Sequence, residues 1–255
     1  MKFKTIQWNI GGALIRDPHS DKTLDGSYNV DGLDYIVQKL KSVQPDIITL
    51  QEIHLNDHDN QAAEIARKLG GEYHFVSGKF SNSHLKPDQF LGMAILSRHP
   101  IKNSRTAKFP NPQLVIQRPN GELWRTHDKG VIIGEIDLTG EIIEVMSTQA
   151  VPLHRFFVDM TTSMGQAMCA KIQRVLLPKL PKYLIQGDFN IDSPSLKDFF
   201  PGIVNGGHEI IQDTPTGVWG RRNDHILYGG LKLLSSRVDD QVLTDHYPII
   251  SEFEI

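Results

Sequence analysis

The stretch YLIQGDFNID, residues 183–192, closes an apolar run on a glycine and then sets Asp188, Asn190 and Asp192 on alternate positions. A carboxylate held near an activated water can take its proton. An amide two residues on shares its face if strand geometry persists, which places Asn190 beside Asp188. Four other apolar runs lead into residues that pack poorly and react well. They deliver Asn9 after KTIQW, Glu52 after IITLQ, Asp224-His225 in RRNDHIL and Asp245-His246 in LTDHYPI. Any one of these could be a cap or turn residue. Together they predict one rim built from the ends of many strands.

That set suits phosphoester hydrolysis, which needs a cation on the phosphoryl oxygens, an activated water and stabilisation of the leaving oxygen. Glu52 would be costly to bury without a cation or a donor, which marks it as a metal ligand. Asn9 can offer a carbonyl to metal-bound water or an NH₂ to phosphate. His246 would meet a phosphoryl oxygen as imidazolium, a form favoured by an acid on its other ring nitrogen.

The elements that must position these residues follow from periodicity. Residues 3–10 alternate as a strand that stops at Gly11-Gly12, and residues 13–29 read as a long polar loop. Val30, Leu33, Ile36, Val37, Leu40 and Val43 fall at helical spacing before Pro45. Residues 46–53 form a short apolar strand with its polar residues at the exit. Asn60 to Leu69 reads as a helix stopped by Gly70-Gly71. EYHFVSG, LGMAILSR, KGVIIGEIDL and EIIEVMSTQAV are strands, whereas Ser77 to Phe90 and FPNPQ read as mobile loops. A helix over 163–177 has Ser163 and Gln166 at capping-box spacing, and Asp192-Ser193-Pro194 is a further helix start. DHILYGG and HYPIISEFEI are the last strands.

Hydrophobic residues make up 39% and charged residues 22% of the 255, which is ordinary for a chain with a sizeable core. A formal net charge of −3 excludes a broadly basic, nucleic-acid-coating surface but not a local positive cleft. The lone Cys169 reads as a small buried thiol on a helix. Without a signal-peptide pattern or a membrane-length apolar run, the expected location is cytoplasmic, away from membranes. No repeat or linker-like shift divides the chain, so one domain over residues 1–255 is expected. No coiled-coil or exposed apolar pattern calls for a protein partner.

The order WN, LQE, GDFN, a D-H dipeptide in an apolar strand and DHYP resembles the endonuclease/exonuclease/phosphatase superfamily. These are Mg²⁺-dependent phosphoesterases related to exonuclease III and pancreatic deoxyribonuclease. GMAILSRHPI and VPLHRFF are similar to further family segments, and the resemblance runs from Trp8 to Pro248. It implies an α/β (α+β) fold, a four-layer sandwich of two packed mixed β-sheets flanked by helices. It also implies Asp188 as the base or orienting group for water, and Asn190 as a phosphate ligand. Glu52, Asn9 and Asp245 fall at the metal, which would be Mg²⁺ with Mn²⁺ as substitute. Asp224 becomes the partner of His246, and His225 faces the other way in a structural role.

The family pattern breaks at one point. A motif like NTH, with a histidine, is replaced by Ser147-Thr148-Gln149. Gln149 can donate to phosphate but carries no charge; His154 and Arg155 are the nearby groups that could compensate. Arg222, with Arg118, Arg125, Lys129 and Arg221, is a candidate substrate contact, and Trp124 and Trp219 are candidates for stacking on a base. QEIH lacks the lysine of exonuclease III-like repair enzymes, and no extended basic, aromatic groove is evident. The expected activity is a nuclease-type phosphodiesterase acting on a phosphoester substrate, with nucleic acid a candidate. The alternatives are a phosphomonoesterase or small-molecule phosphodiesterase (sugar or lipid headgroup), or a catalytically weakened phosphate-binding relative.

Overall fold

The computed structural model describes residues 1–17 and 28–255. In chain order the strands are β1 (Lys2–Asn9), β2 (Leu14–Arg16), β3 (Tyr28–Asp31), β4 (Ile47–Leu55), β5 (His74–Asn82), β6 (Phe90–Ser97), β7 (Ile101–Lys108) and β8 (Val115–Gln117). They continue as β9 (Leu123–Arg125), β10 (Gly130–Leu138), β11 (Glu141–Gln149), β12 (Tyr183–Asp188), β13 (His208–Glu209), β14 (Asp224–Gly229), β15 (Lys232–Val238) and β16 (Ile249–Glu254). The helices are α1 (Leu33–Val43), α2 (Gln61–Lys68), α3 (Ser163–Leu176) and the short α4 (Pro201–Val204). Among the described residues no helix is long and apolar enough to cross a membrane.

Two six-stranded mixed sheets carry the fold, in the orders β15-β16-β1-β4-β6-β5 and β13-β14-β12-β11-β10-β7. Each has one parallel pair at its centre, β1 with β4 and β11 with β12, flanked by antiparallel neighbours. Parallel neighbours need a crossover, and each crossover here contains a helix, α1 or α3. Ile36, Val37, Leu40 and Ile65 of α1 and α2 pack on Ile6, Trp8, Ile48 and Leu50 of the first sheet. Cys169, Ile172 and Leu176 of α3 pack with Ile133, Met146 and Ile185 of the second. The result is the expected four-layer sandwich, helices outside and sheets face to face.

The layer between the sheets changes character along its length. Because strand side chains alternate, Phe3, Thr5, Gln7 and Asn9 share one face of β1. Leu184, Gln186 and Asp188 do the same on β12, and Val145, Ser147 and Gln149 on β11. The lower part of this layer is apolar: Phe3, Ile47, Ile143, Val145, Leu184, Ile249 and Phe253 are all buried there. Higher up the residues turn into amides and hydroxyls that bond across the gap. Gln186 Nε2 donates to Thr5 Oγ1 at 3.0 Å, and Gln51 Nε2 to Ser147 Oγ at 3.0 Å. Topmost come the residues expected to do chemistry.

Several elements depart from expectation. The first helix starts at Leu33, since Val30 lies on β3, and Asp31 Oδ1 accepts from the Leu33 N–H. The other end of the expected 13–29 loop forms β2, and its residues 18–27 lie outside the described set. β5 runs on through the expected mobile stretch to Asn82, which pairs with Phe90; as an edge strand it tolerates polar side chains. At α3 the cap is Thr162, whose Oγ1 accepts from Gly165 N at 3.2 Å, so Ser163 and Gln166 form no capping box. No helix starts at Asp192, whose Oδ1 instead accepts from Arg222 N. The last strand begins at Ile249, leaving Asp245-His246 in the preceding loop. α2 is capped as its sequence suggests, with Asn60 Oδ1 accepting from Ala62 N and Ala63 N.

Gly187 sets the position of Asp188. A Cβ built there would lie 1.9 Å from the Thr148 carbonyl oxygen on the parallel neighbour. Gly187→Ala must therefore push β12 away from β11. The expected cost is about 1–3 kcal/mol in urea unfolding, with loss of any activity that depends on Asp188. An unchanged unfolding midpoint would show that the strand pair can open without penalty.

Candidate active site

Asp188 ends β12 and is almost fully buried. Its Oδ2 accepts from three side-chain amides: Asn9 Nδ2 at 3.1 Å, Asn190 Nδ2 at 3.1 Å and Gln149 Nε2 at 3.2 Å. Its Oδ1 accepts from the Asn190 backbone N–H at 2.9 Å. Asn190 reaches the carboxylate through a left-handed turn (φ 53°) rather than by continuing the strand, and its amide also donates to the Ala150 carbonyl. Burial, followed by the charges of Asp224 and Glu52, pushes the Asp188 carboxyl up to about 6 against the pull of His246 and Gln149.

Glu52 does not stand at the end of its strand. β4 continues to Leu55, and a β-bulge between Gln51 and Ile53 holds Glu52 at φ 54°. Bulges re-aim single side chains, and this one leaves Glu52 lining the cleft. Gln149 Nε2 donates to Glu52 Oε1 at 2.6 Å, with Lys129 Nζ 3.7 Å from the same oxygen. Burial alone would raise this carboxyl; the Lys129 ammonium, the Gln149 amide and His246 outweigh it and hold it at about 2.

His246 Nδ1 lies 2.8 Å from Asp224 Oδ2. The other Asp224 oxygen accepts from Gln7 Nε2 at 2.9 Å, across the gap between the sheets. Burial opposes charging the imidazole, but Asp224, then Asp188 and Asp245, raise its pKa well above the ordinary value. The His246 backbone is fixed too, its carbonyl accepting from Trp8 Nε1 at 3.2 Å. Asp245 Oδ1 accepts from the His246 N–H at 3.1 Å. Burial, with the Glu52 charge adding to it, raises the Asp245 carboxyl. His225 is buried on the opposite face of β14 as expected, beside Glu209 and the Ile191 carbonyl.

These groups surround a cleft of about 290 Å³. Glu52, Asp188, Asn190, Gln149, Asp245 and His246 line it, with Lys129, Arg125 and Arg155 among its cations. His154 and Arg222 do not line it. Burial, then the charges of Arg221 and Arg155, depresses His154 to about 4, so it brings no charge to offset the neutral Gln149. Arg222 is tied to Asp192 and the Asp213 carbonyl. Trp124 is already engaged by Phe156 (5.5 Å, stacked) and by the Arg118 guanidinium (4.1 Å). It docks the β8–β9 hairpin against residues 153–156. Trp219 stands edge-on to His246 at 6.3 Å and lines the cleft. Gln7 and Gln186 join the site without having stood out in the sequence. Their signal was present as single amides at inward positions of apolar strands.

A family model described as the Endonuclease/Exonuclease/phosphatase family matches residues 6–246. The chain belongs to this family. No curated protein matches it significantly. Among solved structures, an endonuclease/exonuclease/phosphatase from Beutenbergia cavernae is 16% identical with a TM-score of 0.70, covering all of this chain and 72% of that one. TDP2 of D. rerio, complexed with a single-strand DNA product, is 15% identical with a TM-score of 0.64, covering 100% of this chain and 99% of that one. A 3′ phosphatase from Neisseria, bound to a product DNA hairpin, is 18% identical with a TM-score of 0.62, covering 99% of this chain and 100% of that one. At such identities the likeness extends to the fold.

The site also bears on the metal that the family implies. Among the described residues no three His, Cys, Asp or Glu side chains are grouped to hold an ion by themselves. Mg²⁺ does not require such a group, since it keeps several waters and takes one or two carboxylates. Glu52, Asp188 and Asp245 bring three carboxyl groups to the cleft wall, while Asp224 is taken up by His246. The donors are carboxyl and amide oxygens, the ligand type that a hard cation prefers. The residues therefore fit a hard divalent cation.

His154, and likewise His54 (also about 4, chiefly from burial), give the fold a pH-dependent component. An unfolded histidine takes a proton near pH 6.5, whereas these stay neutral until about 4. Between those values the unfolded chain binds more protons, so stability should fall as pH drops from 6.5 towards 4. His154→Gln should flatten that fall in urea unfolding. Identical pH slopes in both proteins would mean that His154 titrates normally in the fold.

Proposed function

We propose that the chain is a Mg²⁺-dependent phosphoester hydrolase, of nuclease-type phosphodiesterase character, that cleaves by direct attack of water. The observation that carries this reading is the buried Asp188 carboxylate. It is held by three amides and pushed up towards neutrality, where a general base works best.

Asp188 orients the attacking water and takes its proton. Asn190, fixed by the Ala150 carbonyl, keeps that carboxylate in place and offers an amide to the phosphoryl group. His246, kept protonated chiefly by Asp224, donates to a phosphoryl oxygen and stabilises charge as the ester bond breaks. Glu52, Asn9 and Asp245 would hold Mg²⁺, with Mn²⁺ as a substitute. When bound, the cation neutralises the phosphoryl oxygens. Arg155 and Arg125 on the cleft wall are suited to flanking anionic groups of the substrate.

The DNA products bound to TDP2 and to the Neisseria enzyme support nucleic acid as a substrate class. That the Neisseria enzyme is a 3′ phosphatase, together with the small volume of this cleft, favours a second reading, a phosphomonoesterase.

Hydrolysis of bis-p-nitrophenyl phosphate and p-nitrophenyl phosphate, with Mg²⁺ or Mn²⁺ titrated in, tests both readings. Metal-dependent diester cleavage is expected, with Asp188→Asn lowering kcat by about 100-fold or more. Monoester cleavage alone would select the second reading. Full activity in chelator, or in Asp188→Asn, would reject both.

A further inference from the structure

Lys129 precedes β10 and is buried to 7% of its free exposure, an expensive place for an ammonium unless it is paired. Its Nζ donates to Gln149 Oε1 at 2.6 Å. That bond settles which end of the Gln149 amide faces which way. With the oxygen taken by the lysine, the NH₂ points to Glu52 Oε1 at 2.6 Å and Asp188 Oδ2 at 3.2 Å. The flipped amide would set its oxygen against two carboxylates and its NH₂ against an ammonium. One NH₂ group therefore bridges the carboxylate on the first sheet and the one on the second. A charged donor on the amide oxygen also polarises the amide, strengthening both bonds.

We propose that Lys129 is a positioning residue of the hydrolytic site: it locks the Gln149 amide as a clamp that sets Glu52 and Asp188 relative to one another. The clamp stands where the family pattern has a histidine, and its charge comes from Lys129 rather than from His154. The proposal rests on the phosphoesterase reading above for its effect on rate. The geometry of the clamp can be examined without any turnover.

Lys129→Met, Gln149→Met and the double variant form the test, with folding checked by thermal unfolding. Lys129→Met should lower kcat by about 10-fold and leave KM nearly unchanged, the pattern of lost positioning. Because the lysine acts largely through the amide, with its 3.7 Å approach to Glu52 as the direct remainder, the double variant should lose clearly less than the product of the two single losses. Multiplying losses would overturn the proposal. The Gln149 side-chain NH₂ pair, followed in ¹⁵N-edited NMR spectra without substrate, should move towards the position of a free glutamine in Lys129→Met. An unmoved pair would also overturn it. Lys129→Gln, which removes the charge but keeps a donor, carries the same measurements if the methionine variant does not fold. A wild-type protein silent on both esters, yet showing the NMR shift, would count against the hydrolase reading and leave the clamp standing.

Discussion

The hydrogen bond from Gln7 to Asp224 crosses from one sheet to the other, and the arrangement of the site depends on it. The Gln7 NH₂ also donates to Gln51 Oε1 at 2.8 Å, Gln51 donates to Ser147, and Ser147 Oγ donates to the Leu50 carbonyl. The direction of every amide is set by its neighbour. Gln7 Oε1 is left buried without a partner, because turning that amide would place its oxygen on two acceptors. A buried polar network that is nearly complete specifies one arrangement far more sharply than apolar packing does. Here it fixes the relative placement of the two sheets where their strands deliver Asn9, Glu52, Gln149 and Asp188.

The apolar lower part of the same layer makes that possible. Phe3 stacks on Phe253 at 5.8 Å, and Ile47, Ile143, Leu184 and Ile249 are wholly or almost wholly buried around them. Burial of this kind is non-directional and holds the sheets together without dictating register. Strain can then be carried at the rim. Glu52 at its bulge and Asn190 after β12 both adopt positive φ, costing on the order of 1 kcal/mol or more each. Both are residues whose side chains the site needs off the regular strand direction.

Much of this was legible in the sequence, because strand periodicity and polar strand ends are local signals. Asp188, Asp224, Asp245, His246 and Asn9 converge as their positions suggested, and both helix-bearing crossovers follow from apolar spacing. What escaped was not local. Glu52 looks like a strand-end acid, yet it is a bulge within a longer strand, and a bulge is defined by pairing with β6, far along the chain. Lys129 looks like one more solvated cation until β10 pairs with β11 and sets Gly130 opposite Gln149. His154 has the right residue type and lies near the site in sequence, but the fold leaves it half-buried outside the cleft, near Arg221 and Arg155. Trp124, a candidate for stacking on a base, does line the cleft, but its ring already packs on Phe156 and Arg118.

Two carboxylates tied by one amide end up with opposite proton affinities, and the difference lies in what surrounds them. Glu52 has an ammonium 3.7 Å away and stays anionic far below neutral pH. Asp188 has only neutral amides as hydrogen-bond donors and stands deeper among other acids, so it meets neutral pH near its own pKa. Exchanging the two residues would not exchange these affinities, since the lysine stays with the first site and the Asn9 and Asn190 amides with the second. The contrast between the two carboxylates is thus a property of the positions, set by the ammonium beside one and by burial and neighbouring acids around the other.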